Sequence, residues 1–546
     1  MKVIIIGGVA SGMSAATRLR RLNESAEITV YERGEHVSYA NCGLPYFIGD
    51  VITNRNDLLL QTPEKLWDRF RIDVRIRASV VNISREKQSV TIRNELTGDT
   101  TEDFYDYLVL ATGASPRRLN IAGSERALPI RNVTDTDRVK AEIARVNAKS
   151  AAVLGGGFVG VELAENLRHL GLDVHVIQRG SSILSQFDPE MIEPIQRALT
   201  ENGVHLHMHS QVAEISERTV VLADGTSLDA DIVLCATGVA PDNQLAVDAG
   251  LRIGTTGGLW VDDQQRTSDP HIFAAGDAVE KNGMLVGDQA LIPLANLANR
   301  HGRLIADVIA GVDAHAHPAL GTIIIGAFGM SAAVTGLSER AARAANIAHH
   351  VVHLHPGSHA GYYPGATRVD LKIVFEPETG KLLGAQAAGE NGADKRIDVL
   401  ATAIFAGLTI DDLMDLELAY APQFGSAKDA INQAGYVGNN VLSGVTETIQ
   451  WHELDLALAE GAVLIDVRTN EEHAAGSIPG AQNIPVDDLR GRLEELVGCD
   501  VVVTCQVGQR GHIATQILKA HGVQVRNLDG GYLTWRDATS ALARTA

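Results

Sequence analysis

A chain of 546 residues with 45% hydrophobic and 21% charged content exceeds what one hydrophobic core serves and predicts about three or four globular α/β domains. Its formal net charge of -20 excludes a general binder of nucleic acid or anionic membrane, whose surfaces attract basic proteins. Four cysteines, at positions 42, 235, 499 and 505, exclude a disulfide framework and form no CxxC pair, which points to a reducing cytoplasm.

The chain opens on the apolar run Val3-Ile4-Ile5-Ile6, which Gly7-Gly8 interrupts far short of a signal-peptide core. No apolar run approaches a membrane span. The run reads as a buried strand, and Gly7-Gly8-Val9-Ala10-Ser11-Gly12 as the turn into a helix, where free amides and the helix dipole hold a pyrophosphate. Val9 replaces the second glycine of the usual pattern. Glu32 ends the next strand about twenty residues later, where an acid takes ribose hydroxyls.

Then comes Ser38-Tyr39-Ala40-Asn41-Cys42-Gly43-Leu44-Pro45-Tyr46. A cysteine does chemistry as the thiolate, in surroundings that lower its pKa, and Asn41 and Gly43 leave backbone amides room for that. On residue chemistry alone, a small packed hydrophobe is the commoner fate of a free cysteine such as Cys42.

A complete fingerprint, Gly155-Gly156-Gly157-Phe158-Val159-Gly160, follows the strand Ala151-Ala152-Val153-Leu154. Two such units predict two dinucleotides. The next strand ends in Gln178-Arg179, where an NAD site usually carries an acid. A neutral residue beside an arginine suits the 2′-phosphate of NADPH, with NADH use left open.

Further along stand Ala111-Thr112-Gly113, Ala236-Thr237-Gly238 and a segment ending Ala274-Ala275-Gly276-Asp277. In this order the elements resemble the flavoprotein disulfide reductases that bind two dinucleotides. The resemblance implies an FAD-binding domain at 1–112 and 240–318, an NAD(P)-binding domain at 113–239 and a dimerisation domain at 319–442. It implies an FAD site of Gly7, Gly8, Ala10, Gly12, Glu32, Arg33, Ala111, Thr112, Gly113, Gly276, Asp277, Pro293 and Ala295. The NAD(P) site would use Gly155, Gly157, Phe158, Val159, Gly160, Glu162, Gln178, Arg179 and Gly238.

Members with a redox pair carry CxxxxC or CxxC, whereas this region has Cys42 alone, so its oxidised form must be a mixed disulfide, persulfide or sulfenic acid. The setting around Cys42, with His359-Ala360-Gly361-Tyr362-Tyr363-Pro364 and the stretch from Tyr420 to Asp429, is similar to coenzyme A disulfide reductases and their persulfide-reducing relatives. That likeness implies a homodimer in which Tyr362 and Tyr420 reach the partner subunit's Cys42. It implies CoA contacts from Ser14, Arg18, Arg21, Ser38 and Asn41, with Arg69 and Arg71 as further cations and Lys428 on a phosphate. Phe70 departs from a basic contact found in relatives. The histidines at 205, 207 and 209, and at 349, 350, 353, 355 and 359, share strand faces on which a metal site is geometrically possible. Lacking a completing carboxylate or cysteine framework, they read as solvated strand edges, and no metal is expected.

From about Val445 the chain starts again with Ala462-Val463-Leu464-Ile465-Asp466-Val467-Arg468, Thr504-Cys505-Gln506-Val507-Gly508-Gln509-Arg510-Gly511 and Asn527-Leu528-Asp529-Gly530-Gly531-Tyr532, and by these stretches residues 447–546 resemble one rhodanese domain. A strand ending at Cys505, followed by a loop opening a helix, aims successive amides at the sulfur, and Arg510 adds positive charge. Cys235 and Cys499, in or beside apolar strands, read as inert. The whole predicts an α/β chain of two Rossmann-like domains, an α+β dimerisation domain and an α/β rhodanese domain. The expected activity is FAD-dependent, NAD(P)H-driven reduction of CoA persulfide at Cys42, with sulfane sulfur carried on Cys505. The alternatives are plain CoA disulfide reduction, with the rhodanese domain an independent sulfurtransferase or a dock for a sulfur-carrier protein, and direct reduction of elemental sulfur or polysulfide.

Overall fold

The computed structural model describes residues 1–117 and 119–544. It divides into two compact units, Met1–Arg179 with Gly203–Gly321, and Gly180–Asn202 with the chain from Thr322 onward.

The first unit holds two parallel sheets of five strands. In one, Lys2–Ile6 lies between Glu27–Tyr31 and Tyr107–Leu110, flanked by Asp73–Arg75 and Ile272–Ala274. Val3, Ile4 and Ile5 are fully buried because both faces of the sheet are covered, which is why this strand is continuously apolar. The other sheet runs Val204–His207, Asp173–Ile177, Ser150–Leu154, Ile232–Cys235, Ala127–Pro129. Gly7 and Gly155 leave their strands at φ +105° and +107°. A Cβ on Gly7 would lie 2.2 Å from Ala111 O, and one on Gly155 2.4 Å from Ala236 O. Each glycine turn is thus pressed against the alanine of one Ala-Thr-Gly motif, so glycine is required twice over, by conformation and by space.

The second unit contains an antiparallel sheet in the order Ile323–Ala327, Met330–Gly336, Leu382–Gly389, Val369–Phe375, His350–Leu354. It also contains a parallel sheet, Thr448–Ile449, Gln524–Leu528, Asp500–Thr504, Val463–Asp466, Gln482–Asn483. The helix Pro189–Glu201 groups with this unit, although the sequence reading sets it within 113–239. Its polar residues explain why: Arg197 Nη2 donates to Asp537 Oδ1 at 2.7 Å and Arg544 Nε to Glu193 Oε1 at 3.1 Å.

The sequence reading of the second histidine cluster as solvated is corrected here. His353 is buried between two carboxylates, Nδ1 2.6 Å from Asp529 Oδ2 and Nε2 3.1 Å from Glu190 Oε1. His355 Nδ1 lies 2.5 Å from Asp370 Oδ1. The completing carboxylates come from sequence-distant segments. Asp188, Glu190 and Glu339 converge as metal ligands could, but buried Lys372 fills the centre, its Nζ 2.9 Å from Asp188 Oδ2, 2.7 Å from Glu339 Oε2 and in contact with Glu190. In the other cluster, His205 is exposed as expected, beside Asp173, while His175 and His207 approach each other to 3.0 Å.

Candidate active site

A cavity of about 570 Å³ lies over the first glycine turn. Gly7, Ala10, Glu32, Arg33, Ala111, Thr112, Gly113, Gly276 and Asp277 line it. Gly8 and Gly12 support it from behind: the Gly8 N–H donates to Glu32 Oε2 at 2.8 Å, and a Cβ on Gly12 would lie 1.9 Å from Gly7 O. Ala295 lines a neighbouring cavity instead, and Pro293 lines neither. Sequence reasoning missed Arg131, whose Nη2 donates to Asp277 Oδ2 at 2.9 Å. A glycine cradle, an acid at the strand end and an aspartate at the far side fit a dinucleotide. Asn41 Oδ1, buried and without a hydrogen-bond partner among the described residues, borders the same cavity and offers an acceptor to a ligand.

Cys42 sits in the short turn Asn41–Gly43 that leads into the helix Leu44–Ile48. Leu44 and Phe47 bury this helix against Leu58 and Val133, and a Cβ on Gly43 would meet Leu58 Cδ2 at 2.7 Å. Packing of Leu44 and Phe47 holds the turn so that Cys42 stays exposed. Although the residue is exposed, the protein packed around it displaces part of the water from the sulfur, which pushes the thiol's pKa up, and the Glu162 and Asp277 carboxylates push it further. The expectation that the polypeptide itself lowers this pKa is therefore corrected, since the nearest charges are negative. The Tyr46 hydroxyl donates to Glu162 Oε1 at 3.1 Å, and burial raises the pKa of Glu162 as well. Glu162 thus stands beside Cys42 and Tyr46.

A second cavity, about 440 Å³, opens at Cys42 and is lined also by Ser14, Arg21, Ser38, Asn41 and Arg69. The helix Ala10–Leu22 carries Ser14 and Arg21, and Pro63–Phe70 carries Arg69. Asn41 borders both cavities. Arg18 and Arg71 do not line this one. Arg18 Nε donates to Asp307 Oδ1 at 2.7 Å, and Arg71 caps its helix with the guanidinium 5.5 Å from the Trp67 ring centroid. Gln61 and Asn299 line it unforeseen, Asn299 Oδ1 accepting from Ser14 Oγ at 2.8 Å.

At the second glycine turn, Gly157 precedes the helix Phe158–His169, which carries Phe158, Val159, Gly160 and Glu162. The Gly156 N–H donates to Gln178 Oε1 at 3.1 Å, just as Gly8 does to Glu32. The two glycine turns share this contact, with an acid in the first and an amide in the second, and Arg179 is exposed beside that amide. Gly238, at φ +89°, precedes Val239–Pro241, a strand paired with Ala114–Pro116 beyond Gly113.

In the second unit the Tyr362 and Tyr420 hydroxyls are 2.9 Å apart on exposed side chains. Lys428 lines a cavity of about 410 Å³ together with Gly508 and Gln509. Cys505 is fully buried at the end of Asp500–Thr504, and the Gly508 N–H donates to its Sγ at 3.2 Å. Among the described residues, this is the amide that reaches the sulfur, fewer than the successive amides expected. Arg510 is engaged by Glu472 at 2.7 and 2.8 Å, so its charge toward Cys505 is partly offset.

Residues 1–302 match the family described as pyridine nucleotide-disulphide oxidoreductase. The chain belongs to this family. Residues 326–431 match the dimerisation domain of these oxidoreductases, and 450–538 a rhodanese-like domain. FAD and NAD(P)H are the cofactors of such oxidoreductases, and the two glycine turns fit them. The oxidoreductase is 35% identical over 436 residues to the coenzyme A disulfide reductase of Staphylococcus epidermidis, covering 80% of this chain and 99% of that one. The reduced Bacillus anthracis CoADR-RHD superimposes with a TM-score of 0.97 at 44% identity, covering 99% of this chain and 98% of that one. The NAD-dependent persulfide reductase of A. fulgidus does so with a TM-score of 0.92 at 36% identity, covering 98% and 100%. Among the described residues no helix is long and apolar enough to cross a membrane.

Proposed function

We propose that this oxidoreductase reduces CoA persulfide with NAD(P)H at Cys42 and carries sulfane sulfur on Cys505. The observation that carries the reading is the position of Cys42, at the mouth of a cavity bearing Arg21 and Arg69 and beside the dinucleotide cavity, with Asn41 common to both. Cations suit the phosphates of CoA. FAD, held by Glu32, Asp277 and the first glycine turn, supplies the two-electron relay between nicotinamide and sulfur. The Cys42 thiolate attacks the CoA-bound sulfur of the persulfide, the S–S bond breaks, hydrosulfide leaves, and a Cys42–CoA disulfide remains. Two electrons and a proton then return Cys42 thiolate and free CoA. The neutral Gln178 beside Arg179 favours NADPH, and NADH remains a working donor.

The dimerisation domain supports a homodimer, in which exposed Tyr362 and Tyr420 would hydrogen-bond the departing sulfur at the partner subunit's Cys42 and Lys428 would meet a CoA phosphate. A fused rhodanese domain raises the effective concentration of sulfur donor. The four free thiols suit a reducing cytoplasm. A second reading, CoA disulfide reduction with the rhodanese domain acting separately or docking a sulfur-carrier protein, is favoured by the likeness to the staphylococcal enzyme, which spans 80% of this chain.

Peptide-resolved mass spectrometry of the reduced protein, freed of reductant and then exposed to CoA disulfide, tests the site. The expected result is one CoA adduct, on Cys42, lost on adding NADPH. An adduct on another cysteine, or one that NAD(P)H does not remove, overturns the reading.

A further inference from the structure

The turn Asp529-Gly530-Gly531 joins the strand Gln524–Leu528 to the helix Gly531–Ala543. It is the wall on which the Cys505 loop rests. Gly531, at φ +64°, comes so close that a Cβ would lie 2.4 Å from Cys505 O and 2.9 Å from Gly508 N. The Tyr532 N–H donates to Cys505 O at 2.7 Å and the Leu533 N–H to Gln506 O at 3.2 Å. Any shift of this turn moves the loop whose Gly508 N–H faces the sulfur.

The turn is gripped from outside the rhodanese-like domain. His353 takes Asp529 at two points, its N–H donating to Oδ1 at 3.2 Å and its Nδ1 lying 2.6 Å from Oδ2. One residue past the end of the same strand, His355 Nε2 lies 2.8 Å from Thr534 Oγ1, while its Nδ1 is held by Asp370. Gly530 lies directly against His353, since a Cβ there would be 2.7 Å from His353 Cβ. Both imidazoles are buried, with side chains 2% and 5% exposed. Each is fixed on its other side by an acid, Glu190 for His353 and Asp370 for His355, so neither ring is free to yield.

We infer that His353 and His355 are positioning residues for Cys505, so that the antiparallel sheet sets the geometry of the sulfur loop. The inference rests on the reading of Cys505 as the sulfur-bearing nucleophile. If the two histidines only glued the domains together, their loss would cost stability without altering Cys505. As positioning residues they are coupled to reactivity, because a misplacement of about 1 Å at a reacting group costs on the order of 100-fold in rate.

The test uses the full-length protein with His353→Gln, His355→Gln and the double substitution. Arg197→Ala serves as the control, since it removes a contact of the same interface, Arg197–Asp537 at 2.7 Å, without touching the turn. Three quantities are read: thiosulfate-to-cyanide sulfur transfer, the rate of Cys505 alkylation by iodoacetamide from peptide mass spectrometry, and NADPH-driven CoA disulfide reduction through Cys42. The double substitution is expected to lower kcat for sulfur transfer by about tenfold or more, with KM for thiosulfate unchanged. Cys505 alkylation is expected to slow in parallel while CoA disulfide reduction and the Arg197→Ala protein keep their rates. Sulfur transfer and alkylation at the unaltered rates would overturn the inference, as would a fall only in step with CoA disulfide reduction. Should the unaltered chain transfer no sulfur from thiosulfate, the sulfurtransferase reading fails on its own, and the alkylation rates still decide the positioning role.

Discussion

The Tyr46 hydroxyl donates to Glu162 Oε1 at 3.1 Å, joining the helix that follows Cys42 to the helix of the second glycine turn. Burial raises the pKa of both groups, and each is raised further by a neighbouring carboxylate. The Glu162 charge also holds the Cys42 thiol up. Glu162→Gln removes that charge, so more thiolate is present at neutral pH. Alkylation of Cys42 at pH 7 is expected to accelerate by about twofold to fivefold, measured with iodoacetamide and peptide mass spectrometry; an unchanged or slower rate would show that Glu162 does not set this thiol.

Lys372 is the only cation in contact with Asp188, Glu190 and Glu339 together among the described residues. Lys372→Met removes the cation that the three buried carboxylates share, leaving Glu190 with His353 and Glu339 with Arg343 and His452, and removing one partner of a buried ionic group costs about 3–5 kcal/mol. Calorimetry of the variant should show the second unit's transition at markedly lower temperature. Hydrogen exchange should locate the loosening in Val369–Phe375 and Pro189–Glu201.

His353 gives the second unit a pH dependence. Burial acts to lower its pKa, but the Asp529 and Glu190 carboxylates outweigh burial and the nearby Lys372 charge and push it up to about 9. A group whose pKa is higher when folded stabilises the fold fully below its unfolded value, about 6.5, and loses that contribution as pH rises through the folded value. The transition temperature should therefore fall between about pH 6.5 and about pH 9. In His353→Gln it should be lower at pH 6 and flatter across that window.

Arg18 and Arg21 separate a structural cation from a ligand-facing one. They lie three residues apart on one helix, yet Arg18 is bound to Asp307 at 2.7 Å while Arg21 lines the Cys42 cavity. Arg21→Ala and Arg69→Ala are expected to raise KM for CoA disulfide about tenfold each, equivalent to ~1.4 kcal/mol, with kcat little changed. Arg18→Ala should leave KM within about twofold and lower thermal stability instead, since a part-buried ion pair contributes more to the fold than an exposed one.

What could be read directly from the sequence were features imposed by the backbone. Gly7 and Gly155 announce themselves because Ala111 O and Ala236 O leave no room for a side chain. Cys42 stands out as the one cysteine before Cys235, placed between the two glycine turns. What could not be read depends on partners far away in the chain. His353 meets Glu190 and Asp529 across 163 and 176 residues, so a histidine that looks solvated on its strand is buried. The same holds for Asn299, which reaches Ser14 across 285 residues. Helix-face spacing placed Arg18 with Arg21, and only the neighbouring Asp307 tells them apart.

The central claim is persulfide reduction at Cys42. Its most direct test is anaerobic NADPH- and NADH-driven release of hydrosulfide from CoA persulfide, run beside CoA disulfide under the same conditions. The account predicts faster turnover of the persulfide, one hydrosulfide per NAD(P)H, lost in Cys42→Ser. Faster turnover of the disulfide, with no hydrosulfide from the persulfide, would contradict it and leave a reductase that maintains the CoA thiol.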